Sequence, residues 1–378
     1  MISHIPSWPP SARALQESFA AVAPYTVGLE DEVMLLAPDD FELASRAEEV
    51  LALLDGDSRF KLEMPASQLE ILTPASPSVD EAAASLRDAR QALAERTDGL
   101  VRLAAAGVHP SSPGLGELNR LERYQRTIRE YGSLARRQLV CALQVHVSVG
   151  EPDGALAAYN AARSYLPLLA ALAANAPFYE GRDTGLASVR PKLAELLPRQ
   201  GVPPAINSWE ELADAFRWGA ASGTFEDSRR WWWELRMHPG FGTLEFRVPD
   251  AQSTVDDAAA IAAVAQALVV WLVERHRAGE HLPVADTWRI EENRWLACRD
   301  GSHGNMHDLE TGATRPTRAL LGQLLAELEP LGAALRSEGA LRRAAEMVEG
   351  GGAVAQRQVA LQEGVQGVAR WLCERFLD

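Results

Sequence analysis

Glu30, Glu32, Glu70, His146, Glu245 and Arg247 share one feature: each lies in a short run where apolar and polar residues alternate. The clearest run is Phe241-Gly242-Thr243-Leu244-Glu245-Phe246-Arg247-Val248. Successive side chains of a strand face opposite sides, so Leu244, Phe246 and Val248 would line a core while Glu245 and Arg247 stand together on the other face. In Gly28-Leu29-Glu30-Asp31-Glu32 the same period puts Glu30 and Glu32 together. Glu70 sits between Leu69 and Ile71, and Gln144, His146 and Ser148 alternate with Leu143, Val145 and Val147. If such strands pair antiparallel, their polar faces merge. Carboxylates gathered that closely repel one another and lose protons reluctantly. A hard divalent cation resolves the conflict, and oxygen ligands point to magnesium rather than zinc. Magnesium so held keeps positions for phosphate oxygens, and Arg190, Arg236 and Arg247 would neutralise phosphate or grip a substrate carboxylate. Residue chemistry alone suggests phosphoryl transfer on a sheet and leaves the acceptor open.

Composition narrows the classes. The 378 residues are 47% hydrophobic and 24% charged, enough for a sizeable core, and the net charge of −15 argues against a nucleic-acid surface. Only Lys61 and Lys192 are lysines, and no Gly-Lys-Ser/Thr phosphate loop occurs. Cys141, Cys298 and Cys373 are odd in number and widely spaced, so neither a zinc site nor a disulfide framework is expected. Prolines occupy residues 1–10 where a signal peptide would be apolar. The longest apolar run, about 261–273, falls short of the roughly 20 residues a membrane span needs. A reduced, cytoplasmic location follows as the expectation, with no membrane partner.

The elements that must carry these residues can be placed by period and by stop signals. Strands are expected over 25–36, 62–73 and 139–149, and at 241–250. Helices are expected over 11–22, 41–54, 78–106, 122–137, 153–174, 210–220 and 255–277, the fifth kinked by Pro167. Gly107 would stop the third helix, and 293–301 reads as a loop. Three amphipathic helices over 317–376, broken near Gly339 and at 350–352, close the chain, and their outer face allows a homodimer. The loop 111–116, with Pro113, Gly114 and Gly116, would shape a substrate pocket.

Six motifs then recur together in one family. They are Gly-Leu-Glu-x-Glu at 28–32, Leu-Glu-x-x-Thr-Pro at 69–74, Glu-Arg-Tyr at 122–124 and Val-His-Val at 145–147. Gly-Arg-Asp-Thr-Gly with Ala-Ser-x-Arg-Pro at 181–191, and Phe-Gly-Thr-Leu-Glu-Phe-Arg-Val at 241–248, complete the set. In this order the sequence resembles the type 2 glutamate-cysteine ligases, or carboxylate-amine ligases. The match covers about 24–301 and continues weakly into the helical tail. The resemblance implies an α+β fold, a curved six-stranded antiparallel sheet flanked by helices and related to the glutamine synthetase catalytic fold. It implies one catalytic domain over 1–378, with a core of about 24–315 and a helical segment of about 316–378. It also implies ATP with Mg2+, small-molecule substrates (glutamate with cysteine or another amine), and an acyl phosphate intermediate. By motif position Glu30, Glu32, Glu70 and Glu245 are metal-ligand candidates. Arg190, Arg247 and His146 are catalytic candidates, and Arg236, Arg299 and Gln144 are candidates for contacting the nucleotide.

Two departures stand out. Many members have His-Val-His where this chain has Gln144-Val145-His146, and Ala66 stands where relatives often carry Glu or Gln. The Gln144 change motivates an alternative: a nucleotide-binding or regulatory homologue without catalysis, or a ligase for a different amine. A third possibility, a metal-dependent hydrolase, would use His109, His146 and the His303/His307 pair.

Overall fold

The computed structural model describes residues 7–378; the proline-rich lead begins outside them. Seven strands form an antiparallel sheet: β1 (Val27–Leu36), β2 (Phe60–Leu62), β3 (Gln68–Leu72), β4 (Arg102–Ala104), β5 (Leu143–Ser148), β6 (Leu235–His238) and β7 (Thr243–Phe246). Six run in the order β2-β3-β1-β5-β7-β6, and β4 pairs the far end of β1. The alternating pattern works as the period requires. Leu29, Val33, Leu69, Ile71, Val145, Val147, Leu244 and Phe246 are all buried on one side.

Helices cover that side, chiefly Val79–Arg96, Pro152–Ala162 and Val255–Arg277. The last begins where the Thr254 hydroxyl accepts from the Asp257 amide at 3.1 Å. At 23 residues it is long and apolar enough to cross a membrane, which corrects the reading of this run as too short. Most of its apolar length is buried inside the fold, and that burial makes it the central core helix. One apolar cluster runs from Leu15 to Phe376, so the C-terminal helices share their core with the sheet.

Several boundaries differ from expectation. The helix expected over 78–106 ends at Arg96, the chain turns at Gly99 with φ of 74°, and it continues as β4. The stretch 62–73 is two strands rather than one, because Met64-Pro65 turn the chain and Pro cannot serve the ladder. Only Ala47–Leu53 of 41–54 is helical; Phe41 has φ of 59°, and Leu43 bridges Leu36. The stretch 293–301 belongs to the helix Thr287–Asp300, with Gly301 marking its end at φ of 58°. In the tail, the break falls at Arg336 and Ser337, and Gly339 lies inside the helix Glu338–Gly350.

Asp31, between the two glutamates of the first motif, points to the apolar side. There Arg90 meets it at 2.8 Å, and both are fully buried. Arg90 also donates to the carbonyls of Gln252 (2.9 Å), Ser253 (3.4 Å) and Phe376 (3.1 Å). One guanidinium thus ties β1, the chain after β7 and the C-terminus together.

Candidate active site

Residues directly opposite in an antiparallel ladder share a face, so the register can be read as rows. Gly28, His146, Glu245 and Arg236 form one row across β1, β5, β7 and β6. Leu72, Glu30 and Gln144 form the next. Lys61, Glu70 and Glu32 form the third. The polar positions of six strands therefore converge on one face.

Two groups of possible ion ligands stand on it, each with its ligand atoms within 4.8 Å of one another: Glu30, His146 and Glu245, and Glu32, Glu63 and Glu70. Their electrostatics differ. In the first group Arg236 grips Glu245 through two hydrogen bonds of 2.7 Å, and Arg247 adds one of 2.6 Å. Burial works to raise Glu245, but Arg236, His146 and Arg247 hold it well below the usual carboxylate range. Burial likewise works against Glu30, yet the facing imidazole prevails and keeps it at about 2. His146 itself is pushed up: burial favours the neutral ring, and Glu245 and Glu30 overcome it. Its Nδ1 bonds the Thr243 hydroxyl at 2.9 Å. Its Nε2 lies 3.4 Å from Glu30 and makes no hydrogen bond among the described residues, a buried atom without a partner there.

The second group lacks such compensation. Glu32 accepts from the Ala142 amide at 2.7 Å and the Gln144 amide at 2.8 Å, yet burial and then Glu63 push it up to about 7. Burial also raises Glu63, and burial with Glu30, Glu63 and Glu32 raises Glu70 well above its ordinary value. Three oxygen ligands short of positive charge suit a hard divalent cation, whose charge would replace the protons they otherwise hold. The donor set therefore fits magnesium. The mixed set around His146 is balanced by arginines and suits it less.

Gln144 and Arg247 join the two groups. Gln144 donates to Glu32 and accepts from Arg247, which also bonds Glu245. Arg236 has its Nε, Nη1 and Nη2 all engaged, the Nη1 by the carbonyls of Ser228 and Trp231 at 3.0 Å. Arg247 keeps free capacity: among the described residues only its Nη1 is bonded and its buried Nε has no partner, and its side chain is 19% exposed. Arg247 is thus better placed than Arg236 to take a further anion.

Two other candidates sit differently. Arg190 is buried, with its Nε on Asp250 at 2.7 Å and its Nη2 on the carbonyls of Arg247, Val248 and Pro249. Arg299 is exposed and paired with its neighbour Asp300, apart from the rows. The histidines of the hydrolase alternative are not brought together. His109 bonds the backbone at 41 and 111–112, while His303 and His307 bond Ser302 and Thr314.

Glu63 and His238 were missed as site residues. Glu63 follows Lys61 with the right parity, but in the single strand expected over 62–73 it takes the face opposite Glu70, and only the turn between β2 and β3 brings the two together. The Glu-Arg-Tyr motif supports it: Arg123 and Tyr124 both bond the Leu62 carbonyl, at 3.0 and 2.6 Å. His238 stacks on Phe241 at 4.4 Å and meets His146 edge-on. Burial drives it to about 3, so it is neutral. The loop 111–116 lines a cleft of about 790 Å³ together with Ser67, Arg136 and Leu139.

The description "Glutamate-cysteine ligase family 2" matches residues 26–374. A Rubrobacter xylanophilus protein with the provisional name glutamate–cysteine ligase 2-3 is 38% identical, over 95% of this chain and 99% of its own. A Ralstonia pickettii protein provisionally named glutamate–cysteine ligase 2 is 35% identical, over 94% and 97%. Among solved structures, a Francisella tularensis glutamate–cysteine ligase in complex with AMP superposes with a TM-score of 0.68 at 12% identity, over 93% of this chain and 89% of that one. A bifunctional glutathione synthetase from Pasteurella multocida gives 0.63 at 15%, over 97% and 53%. These two likenesses show the fold. The family match and the sequence relatives carry the assignment: the chain belongs to glutamate-cysteine ligase family 2, whose members are ATP-dependent ligases.

Proposed function

We propose that the polar face of the sheet is the reaction centre of this ATP-dependent carboxylate–amine ligase, with glutamate and cysteine as the default pair. A substrate carboxylate oxygen attacks the terminal phosphorus of ATP, the bond to ADP breaks, and an acyl phosphate results. The amine nitrogen then attacks the acyl carbon, phosphate leaves, and an amide forms. Such a reaction depends on positioning and charge neutralisation more than on covalent participation by the protein. The single observation that carries this reading is the union of an under-compensated carboxylate trio with an arginine that keeps donors to spare, on one face.

Glu32, Glu63 and Glu70 would hold Mg2+, and Glu30, His146 and Glu245 form the second group that could approach the nucleotide's cations. The cation supplies charge neutralisation at the transferring phosphate. Arg247 offers its remaining donors to a phosphate or carboxylate oxygen. Arg236 acts behind it, fixing Glu245. Gln144 keeps the two groups in register. Its amide serves an acid on one side and a base on the other, a role that a neutral side chain can fill. That intact bridge favours catalysis over a purely regulatory role.

An ADP-release screen of amino-acid pairs with magnesium-ATP tests the proposal. Release that requires both a carboxylate and an amine partner supports it. Nucleotide binding by calorimetry, without release from any pair, would leave the regulatory reading.

A further inference from the structure

Arg247 lies one residue past the end of β7, where ladder hydrogen bonds no longer hold the chain. Its own peptide groups are nonetheless fixed on both sides. The Arg247 amide donates to the Glu234 carbonyl at 2.8 Å, and the Val248 amide donates to the same oxygen at 3.1 Å. Arg190 meanwhile donates to the carbonyls of Arg247 (3.1 Å), Val248 (2.7 Å) and Pro249 (3.1 Å).

Each holder is in turn locked by a buried ion pair. Arg294 grips the Glu234 carboxylate with two bonds of 2.7 and 2.6 Å. Arg190 is set against Asp250 at 2.7 Å, whose other oxygen accepts from the Asn175 amide, also at 2.7 Å. Glu234, Arg294, Arg190 and Asp250 are all buried. Two buried ion pairs are a costly way to hold a strand end, because desolvation cancels much of their attraction. Fixing one guanidinium to within a fraction of an ångström explains the arrangement better than stability does.

We propose that Arg294 and Arg190 are positioning residues for the reaction: with Glu234 and Asp250 they aim the Arg247 guanidinium between Glu245, Gln144 and the transferring phosphate. The assignment rests on the ligase reading above. Neither Glu234 nor Arg294 reaches the substrate in this scheme; both act through the backbone at 247.

The test is a double-substitution cycle on the full chain. Arg294→Lys keeps the charge and gives up the two-bonded grip. Glu234→Gln combined with Arg294→Gln leaves no unpaired buried charge and serves if the first variant unfolds. Removal of a charge-stabilising group costs about 100-fold, so Arg247→Ala should lower kcat by that order, and misplacing it through Arg294→Lys should cost roughly 10-fold or more. KM for the amino acids should change little. In the Arg247→Ala background, Arg294→Lys should cost less than about two-fold further. Equal losses in both backgrounds would overturn the proposal and make the pair purely structural. Arg190→Lys should couple to Arg247→Ala in the same way. Magnesium-ADP affinity by calorimetry gives the same cycle without turnover. A protein that binds magnesium-ADP and ligates nothing would sink the ligase reading while leaving the positioning role measurable.

Discussion

At the residue scale, Gln144 decides between two views of the chain. Its side chain connects Glu32 to Arg247, and both partners are buried or nearly so. Gln144→Leu would strand a carboxylate oxygen and an arginine donor, each at about 1–3 kcal/mol. Lower stability in urea and a loss of ADP release are expected together. Gln144→His retains one donor and one acceptor, and release should stay within about ten-fold of the parent. If Gln144→Leu released ADP at the parental rate, the bridge would have no part in the reaction. Glu63 makes the complementary point. Glu63→Gln replaces one charged oxygen ligand of the under-compensated trio by a neutral amide oxygen, so half-maximal activity should need at least about 10-fold more Mg2+. KM for the amino acids should hold steady, and an unchanged Mg2+ requirement would place the ion elsewhere. Glu30, Glu32, Glu70, His146 and Glu245 were legible from alternation alone because each sits inside a regular strand. Glu63 was hidden because one strand over 62–73 would give it the parity opposite to Glu70, and His238 because no strand was expected over 235–238, although it shares the parity of Arg236.

At the scale of elements, the loop 111–116 is held more firmly than its glycines and prolines suggest. His109 Nε2 bonds the Phe41 carbonyl at 2.8 Å, and its Nδ1 accepts from the amides of Ser111 and Ser112 at 3.2 and 2.9 Å. That pattern needs the neutral ring with its proton on Nε2. Burial lowers the His109 pKa and outweighs the Phe41 carbonyl, Glu42 and Asp40, which favour the charged form. The sign follows. The unfolded chain takes up a proton near the ordinary histidine value while the folded chain resists, so this contribution is full above about pH 6.5 and is lost as pH falls below it. Denaturant unfolding at about pH 7.5 and about pH 5.5 should show a smaller loss for His109→Gln than for the parent. Equal slopes would mean that His109 is not kept neutral. The elements themselves were legible where a single period ran uninterrupted, as in β1, β5 and the helix Val255–Arg277. They were misread where two elements share one apolar pattern. The helix Val79–Arg96 and β4 merged for that reason, since Val101 and Leu103 continue an apolar pattern across the turn at Gly99.

At the scale of the whole molecule, the pairs that lock the fold were not legible at all. Arg90 with Asp31 spans 59 residues, Arg190 with Asp250 spans 60, and Arg294 with Glu234 spans 60. Periodicity fixes which face a side chain takes and says nothing about which distant partner meets it. Arg90 carries the widest reach. It joins β1 to the segment after β7 and to the last turn of the chain, and its guanidinium lies 4.6 Å from the Phe376 ring. Burial outweighs Arg90 and pushes Asp31 up, so the pair contributes little as a charge interaction. Its value is architectural, and the energetics of substitution separate the two roles. Arg90→Met leaves Asp31 buried without a partner and should cost about 3–5 kcal/mol. Asp31→Asn combined with Arg90→Met removes the stranded charge and should recover part of that loss. Full recovery is not expected, because the carbonyls of Gln252, Ser253 and Phe376 still lose their donor, at about 1–3 kcal/mol for each one left unsatisfied. Urea unfolding of the two variants and the parent would order them parent, double, single. A double variant as stable as the parent would show that the carbonyl contacts hold nothing, and the C-terminus would then be anchored by its apolar packing and by the Val255 amide, which donates to the Asp378 carbonyl at 2.9 Å.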